Sequence, residues 1–453
     1  FKYKNRINLF RNIVLFISVI ILSKFFTIQV INSNDYKKQI FNKTISYKEQ
    51  QGLRGNIYDT NKKLLAYTIQ KCLFWISSEN LNEENKLQII NLFSEELNQP
   101  KSKYNKILEI KSDYIVIEKD IILNDYKELI NKSKKINFLR FDLYNHRLYP
   151  HNELGAQLIG FTNNENIGRY GIEGYFNNIL MGHNKIVEYN KTASGKTKFN
   201  ENLTNLAQNG SDIVLTIDIK IQEILQNQLK NALAINKAKS ANGIILDPNS
   251  GEILAIASLP DFDLNKFYNL PKDSADIYYL NRPISSAYEP GSTFKIICFA
   301  DALENKLDEL KSHYFCENGF YKGNYINPFK DHDDGYDTLS FDEIFSNSSN
   351  IGTIKIFQDL EMKSFHSRIK KFGFGIKTNI SMSDEHKGEI KNLNYYKKNK
   401  RDLASASIGQ SILVTNLQLA SAYGSIANGG YLLKPKIIKS IYNSEQYSTF
   451  EEP

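Results

Sequence analysis

From Asn12 to Ser23 the chain carries no charged side chain and is built mostly of Ile, Val, Leu and Phe. After Lys24 the apolar character resumes through Phe25, Phe26, Ile28, Val30 and Ile31. Ile13 to Ile31 therefore offers about 20 residues, the length that crosses a bilayer as a helix. A cleaved signal peptide would end in small residues, and Phe25-Phe26-Thr27 is a poor site of that kind. A buried core helix is the other alternative. We expect a transmembrane helix over residues 12–31. Lys24 is awkward within it, since a lone cation in hydrocarbon costs about 2.5–3.5 kcal/mol on insertion scales. Snorkelling outward, or pairing with a partner helix, relieves that cost. Lys2, Lys4, Arg6 and Arg11 precede any acid, which predicts a cytoplasmic basic N-terminus over residues 1–11 and nearly all the mass on the far side of the membrane.

The rest of the chain reads as globular. Its 453 residues suggest about three domains. With 41% hydrophobic and 24% charged residues, neither wholesale disorder nor a polytopic membrane protein fits. The net charge of +7 is spread thinly, and its cations at the start are explained by membrane orientation, so no nucleic-acid partner is expected. Cys72, Cys298 and Cys316 exclude a disulfide-stapled scaffold, and none has CxxC spacing. Gly195-Lys196-Thr197 looks like the end of a phosphate-binding loop, but Asn190 stands where that motif needs a glycine, so the segment is read as a surface loop.

Asp59-Thr60-Asn61-Lys62 reads as a turn between two short strands. Residues 79–137 carry Leu and Ile at helical spacing and no visible chemistry, and Arg147 to Phe161 reads as extended. Ile213, Leu215 and Ile217 predict a strand. Ile221, Leu225, Leu229 and Leu233, spaced by four, predict the apolar face of a following helix. Gly243–Asp247 and Glu252–Ser258 flank Pro248-Asn249-Ser250-Gly251, a β-hairpin pattern apolar on both faces and so expected in the middle of a sheet. A second large domain is placed from about Ala241.

Chemistry first becomes visible at Glu289-Pro290-Gly291-Ser292-Thr293-Phe294-Lys295. Pro-Gly ends an irregular segment, and Ile296 to Leu303 continues as a helix apolar nearly all round. Ser292 then sits at the helix N-terminus with Lys295 one turn on, on the same face. A serine hydroxyl needs a base within hydrogen-bond reach, and a lysine is that base only when neutral, a form that burial favours. N–H groups at the helix start lie where an oxyanion would form. Alone, SxxK is weak: Ser367-Arg368-Ile369-Lys370 also matches, without the Pro-Gly approach, and a capping serine beside a solvated lysine is the plain alternative. Further on, Ser348-Ser349-Asn350 fits an SxN pattern between two helical runs, where a hydroxyl and an amide two apart project from one short turn. Its plain alternative is a polar loop of helix caps. The two patterns together belong to penicillin-recognising enzymes.

With these motifs the chain resembles a class B penicillin-binding protein over almost its whole length. The resemblance runs through Arg54-Gly55-Asn56-Ile57-Tyr58-Asp59, Gly168 to Gly174, Leu215-Thr216-Ile217-Asp218, Gly251 to Ala255, the two motifs, Ile408-Gly409-Gln410, Thr415 to Ala420 and Ala427-Asn428-Gly429-Gly430. Arg147-Leu148-Tyr149-Pro150, Gly160-Phe161-Thr162 and Cys316-Glu317-Asn318-Gly319 look most like the division-specific branch, penicillin-binding protein 3 or FtsI. The implied fold is α/β (α+β): an anchor, an elongated pedestal (dimerisation-type) domain over 35–240, and a transpeptidase domain over 241–453 with helices packed on an antiparallel sheet.

The resemblance implies a peptidoglycan D,D-transpeptidase with Ser292 as nucleophile, Lys295 as its base, Ser348 as proton relay and Asn350 as the substrate-amide ligand. It implies no cofactor or metal. Implied partners are stem peptides on glycan strands derived from lipid II, β-lactams as inhibitors, the membrane, and an FtsW-type glycosyltransferase that Lys24 could meet. One departure is visible: the family's Lys-Thr-Gly or Lys-Ser-Gly motif is not found after Gly430. We read a fragment clipped at both ends, with an incomplete transpeptidase domain expected to acylate poorly or not at all, although the full-length protein is expected to be active. The alternatives are the elongation-specific sister, penicillin-binding protein 2, and, from another class, a non-catalytic division scaffold or a β-lactam sensor. A retired scaffold would have lost Ser292 or Lys295, and a sensor would carry further spans or a signalling module.

Overall fold

The computed structural model describes residues 2–34, 45–50, 52–191, 197–199, 208–271, 273, 275–305, 311–323, 327–332 and 335–442. Gly195 and Lys196, read above as part of a surface loop, lie outside the described residues. The chain divides into two units, residues 1–53 with 182–209, and residues 54–181 with 210–453.

In the first unit a helix runs over Lys2–Phe26 and continues as one wider turn over Thr27–Ile31. Within Ile7–Ile31 an 18-residue stretch reaches a mean hydropathy of 2.3, with none of it buried. A core helix hides at least one face, whereas Leu15, Phe16, Ile20 and Leu22 all lie exposed here, which removes the buried-helix alternative and suits a helix surrounded by lipid. Lys24 sits in its last turn. Beyond it, strand Ile45–Gln50 pairs antiparallel with Lys185–Lys191, which pairs with Thr197–Phe199.

The second unit is organised by a six-stranded mixed sheet. In spatial order its strands are Ile438–Tyr442, Asp212–Leu215, Ile57–Tyr58, Leu64–Ser77 and Tyr114–Ile122, and Leu139–Leu148 also pairs with Leu64–Ser77. Ile57–Tyr58 runs parallel to Asp212–Leu215, and the other pairs are antiparallel. The Asp59 carboxylate accepts the N–H groups of Asn61 and Lys63, which closes the turn expected there. Along Leu64–Ser77, Cys72, Phe74 and Ile76 alternate inward and are fully buried under the helices Glu83–Glu96 and Lys101–Leu108. Phe74 meets Phe93 edge-on at 5.2 Å.

Two sequence expectations change here. Residues 79–137 contain the strand Tyr114–Ile122 among their helices, its Ile115, Ile117 and Ile121 buried in alternation. The extended region lies earlier than expected, over Leu139–Leu148, and Ala156–Ile159 is a helical turn entered through Gly155 at φ +65°.

The expected hairpin forms from Ala241–Leu246 and Ile253–Leu259. Among the described residues it is a two-stranded pair, not the middle of a wider sheet. The helix Ile219–Ile235 lies against it, capped by Asp218. The predicted face of Ile221, Leu225, Leu229 and Leu233 is half-buried, with Leu225 and Leu229 against Gly243 of the hairpin, while Gln222 and Gln226 are buried more deeply. Gln222 accepts the Ile256 N–H at 2.9 Å and donates to the Ile256 carbonyl at 2.8 Å, so a side-chain amide takes the place of a neighbouring strand. Helices Lys295–Asn305, Asn350–Asp359, Met362–Lys371 and Lys400–Ser407 share a separate core with Phe294, Ile297, Ile354, Phe365 and Leu403.

Candidate active site

The turn that carries Ser292 is suspended from a second loop. Tyr288 and Val414 exchange both backbone hydrogen bonds at 2.9 Å, and Glu289 accepts the Ser411 N–H at 2.8 Å. Gly291 donates to the Gly409 carbonyl at 2.9 Å. Gly409 has φ +75°, and a Cβ there would lie 2.0 Å from the Gly291 oxygen, so only glycine allows this approach. Gly291–Phe294 forms a tight 3-10 turn that runs into the α-helix Lys295–Asn305. Thr293 donates its hydroxyl to the Pro290 carbonyl at 2.6 Å, and Tyr423 donates to the Thr293 carbonyl at 2.8 Å. Phe294, fully buried against Phe374, pins the turn to the helical core.

Ser292 is exposed, whereas Lys295, one turn on, is 2% exposed. The Lys295 ammonium donates to the Ser348 carbonyl and to the Ser348 hydroxyl, the latter at 3.1 Å. Burial is the larger influence on this amine and brings its pKa down to about 8, while the Asp331 carboxylate pulls the other way. Among the described residues none hydrogen-bonds the Ser292 hydroxyl, which leaves it open toward solvent.

Ser348 lies between two helices, Phe341–Ser346 and Asn350–Asp359. The first opens on a capping box of Ser340 and Glu343, and the second is capped by Ser349, which accepts from Gly352 N–H at 2.9 Å. Ser348 itself takes φ +55°, a left-handed conformation uncommon outside glycine. Asn350, 9% exposed, donates its side-chain amide to the Lys330 carbonyl at 2.8 Å and so is turned inward. The structure thus joins Lys295 to Ser348, sets Ser292 one turn from Lys295, and engages the Asn350 donor with the protein's own backbone. The competing match stays apart from this cluster: Ser367 and Lys370 are exposed on the helix Met362–Lys371.

Sequence reasoning missed Asp331. Its carboxylate accepts the Ser349 hydroxyl at 3.0 Å, the Asn350 N–H at 2.5 Å and the Ile351 N–H at 3.2 Å. In the sequence it belongs to a polar run with His332, Asp333 and Asp334, and only the tertiary contact separates it from them.

Residues 242–453 match the family model of the penicillin binding protein transpeptidase domain, and residues 49–215 that of the penicillin-binding protein dimerisation domain. Stage V sporulation protein D of Bacillus subtilis is 32% identical over 65% of this chain and 45% of its own. Peptidoglycan D,D-transpeptidase FtsI of Buchnera aphidicola subsp. Schizaphis graminum is 28% identical over 94% of this chain and 74% of its own. The chain spans about half the length of the first curated relatives it matches. In fold it is similar to penicillin binding protein 2X of Streptococcus thermophilus, at a TM-score of 0.73 and 24% identity over 88% of this chain and 62% of that one. With a dimerisation domain followed by a transpeptidase domain, both matched in sequence, the chain belongs to the class B penicillin-binding proteins.

Proposed function

We propose that this protein is a peptidoglycan D,D-transpeptidase working through a serine acyl-enzyme. The observation that carries the reading is a lysine with a lowered pKa, buried one turn from an exposed serine and hydrogen-bonded to a second serine. In this reading the neutral Lys295 amine takes the Ser292 proton as the hydroxyl oxygen attacks the carbonyl between the last two D-alanines of a stem peptide. The N–H groups at the start of the turn stabilise the oxyanion. When the C–N bond breaks, the proton returns from Lys295 through the Ser348 hydroxyl to the departing D-alanine amine. Asn350 binds the substrate amide through the capacity its bond to Lys330 leaves. An amine of a neighbouring stem peptide then attacks the ester, forms the cross-link and restores the Ser292 hydroxyl. A β-lactam acylates the same oxygen. Stoichiometric labelling of the full-length membrane-bound protein by a fluorescent penicillin, abolished in Ser292→Ala, is the expected result. Labelling that persists in Ser292→Ala would sink the assignment.

A septal role accords with the FtsI names among the relatives. Depletion should then give filaments, and spherical cells would favour elongation. The basic flank supports a cytoplasmic N-terminus, with a pedestal over 35–240 and the transpeptidase domain over 241–453 outside the cytoplasm. A cysteine tag before Ile7 that reacts with impermeant maleimide from outside would reverse that orientation. Lys24 would meet a polytopic glycosyltransferase of the FtsW type, and unchanged association in Lys24→Leu would remove that contact.

A further inference from the structure

The turn bearing Ser348 and Asn350 does not hold itself. Ser348 sits at a left-handed φ, and its neighbours Ser349, Asn350 and Ile351 all direct donors at one carboxylate from another segment. That carboxylate, Asp331, follows the short strand Phe329–Lys330, whose last carbonyl also accepts from the Asn350 side chain. It lies at the start of the helix Asn350–Asp359, bonded to its first two N–H groups, where a negative charge is favoured. We infer that Asp331 is the positioning residue of this site: its carboxylate fixes the turn that presents Ser348 and Asn350 and is the counter-charge of Lys295. This rests on the transpeptidase reading and extends it.

The charge matters because the other ionic groups nearby are already matched. On the helix Lys295–Asn305 itself, Asp301 and Glu304 pair with Arg368 of the packed helix Met362–Lys371, and on the packed helix Asn350–Asp359, Lys355 pairs with Glu317. Asp402 takes the Tyr395 hydroxyl. Among the described residues, Asp331 is the one whose charge bears on Lys295. A base that must also return its proton cannot be too weak, and burial alone drives an amine in that direction. Asp331 opposes that drift while its hydrogen bonds keep Ser348 at bonding distance from the amine.

The two roles separate in two variants. Asp331→Asn keeps an acceptor oxygen for the N–H groups and removes the charge. The ammonium form of Lys295 is then less favoured, so the acid limb of the acylation rate should move to lower pH by about one unit. Acylation below that limb should accordingly quicken. Asp331→Ala removes the acceptors as well, and acylation should fall at least about tenfold at every pH. Rates are read with fluorescent penicillin across pH 5–10, beside thermal melts. A merely structural carboxylate would lower the melting temperature and leave the limb in place, and that outcome overturns the inference. The ionisation of Lys295 is followed independently by carbon NMR of labelled lysine, with Lys295→Met for assignment. If the full-length parent protein is not acylated at all, the transpeptidase reading fails. The NMR midpoint still decides this inference, which is refuted if Asp331→Asn leaves it unmoved.

Discussion

Glu173 is the place where loss of one side chain should cost most. Its carboxylate is fully buried and receives Arg54 Nε at 2.6 Å and Arg147 Nε at 2.7 Å, each of those side chains being 2% exposed. Removing the partner of a buried ion pair costs about 3–5 kcal/mol, because the remaining charge is left without compensation. Here two guanidiniums share one carboxylate. Arg54 still donates to the main-chain carbonyls of Glu173 and Asn166 and to the Asn177 side-chain oxygen, while Arg147 keeps only Thr68 among its described bonds, so the two losses do not simply add. Glu173→Gln, which retains one acceptor oxygen, is placed at about 4 kcal/mol and Glu173→Ala at about 6 kcal/mol. Against a total of about 5–15 kcal/mol, the alanine variant should fail to accumulate. Urea unfolding in detergent reads this through the single tryptophan. Trp75 lies on the long strand that pairs with the strand of Arg147, and its indole donates to Asp142 at 2.8 Å. With a slope of about 2–3 kcal/mol per molar urea, the glutamine variant should unfold about 1.3–2 M earlier. A midpoint within about 0.3 M of the parent would refute the reasoning and make the triad energetically neutral.

Lys295 should destabilise the fold that uses it. Its folded pKa is about 8 against an ordinary value of 10.5, so between those pH values the unfolded chain holds a proton that the folded one lacks. Stability should therefore rise with pH through that window, and below about pH 8 the folded state carries the full cost. Lys295→Met should abolish labelling yet gain about 1–2 kcal/mol at pH 7 after losing its bond to Ser348, a gain that fades towards pH 10.5. Melts at the two pH values test this, and a variant less stable than the parent at pH 7 would contradict it. Gly409→Ala drives a methyl group into the Gly291 carbonyl, and displacement of the Ser292 turn should slow acylation at least tenfold with the far-UV spectrum unchanged. A normal rate would mean that the two loops are not coupled.

What the sequence made legible were features carried by local pattern. The apolar run, the Pro-Asn-Ser-Gly hairpin and the Pro-Gly approach to Ser292 each contain their own physical cause within a few residues. What it hid depends on partners from elsewhere in the chain. Gln222 and Gln226 look like solvated positions until the backbone of Ile256 and the carbonyl of Glu153 arrive to bond them. Spacing by four marked Ile221, Leu225, Leu229 and Leu233, which do half-bury, but the helix also turns its amides to the strand because that edge needs donors and acceptors. Likewise Asn350 belongs to a recognisable motif, yet the direction of its donor is set by the Lys330 carbonyl.

The pairing order of the large sheet also bears on how the chain is made. Its two-residue strand Ile57–Tyr58 is flanked by a strand reached only after a long detour, with Asn56 bonded to Asp212 across 156 residues. The next strand outward lies close to Lys436, which Thr216 meets across 220 residues. Closing such loops adds little to equilibrium cost, since each doubling of length adds only about 0.6 kcal/mol, but it delays the event. A chain emerging from its N-terminal end would leave one edge of Ile57–Tyr58 open until Asp212–Leu215 arrived, and one edge of Asp212–Leu215 open until Ile438–Tyr442 had followed. In that interval its assembly depends on being kept from other unpaired strands.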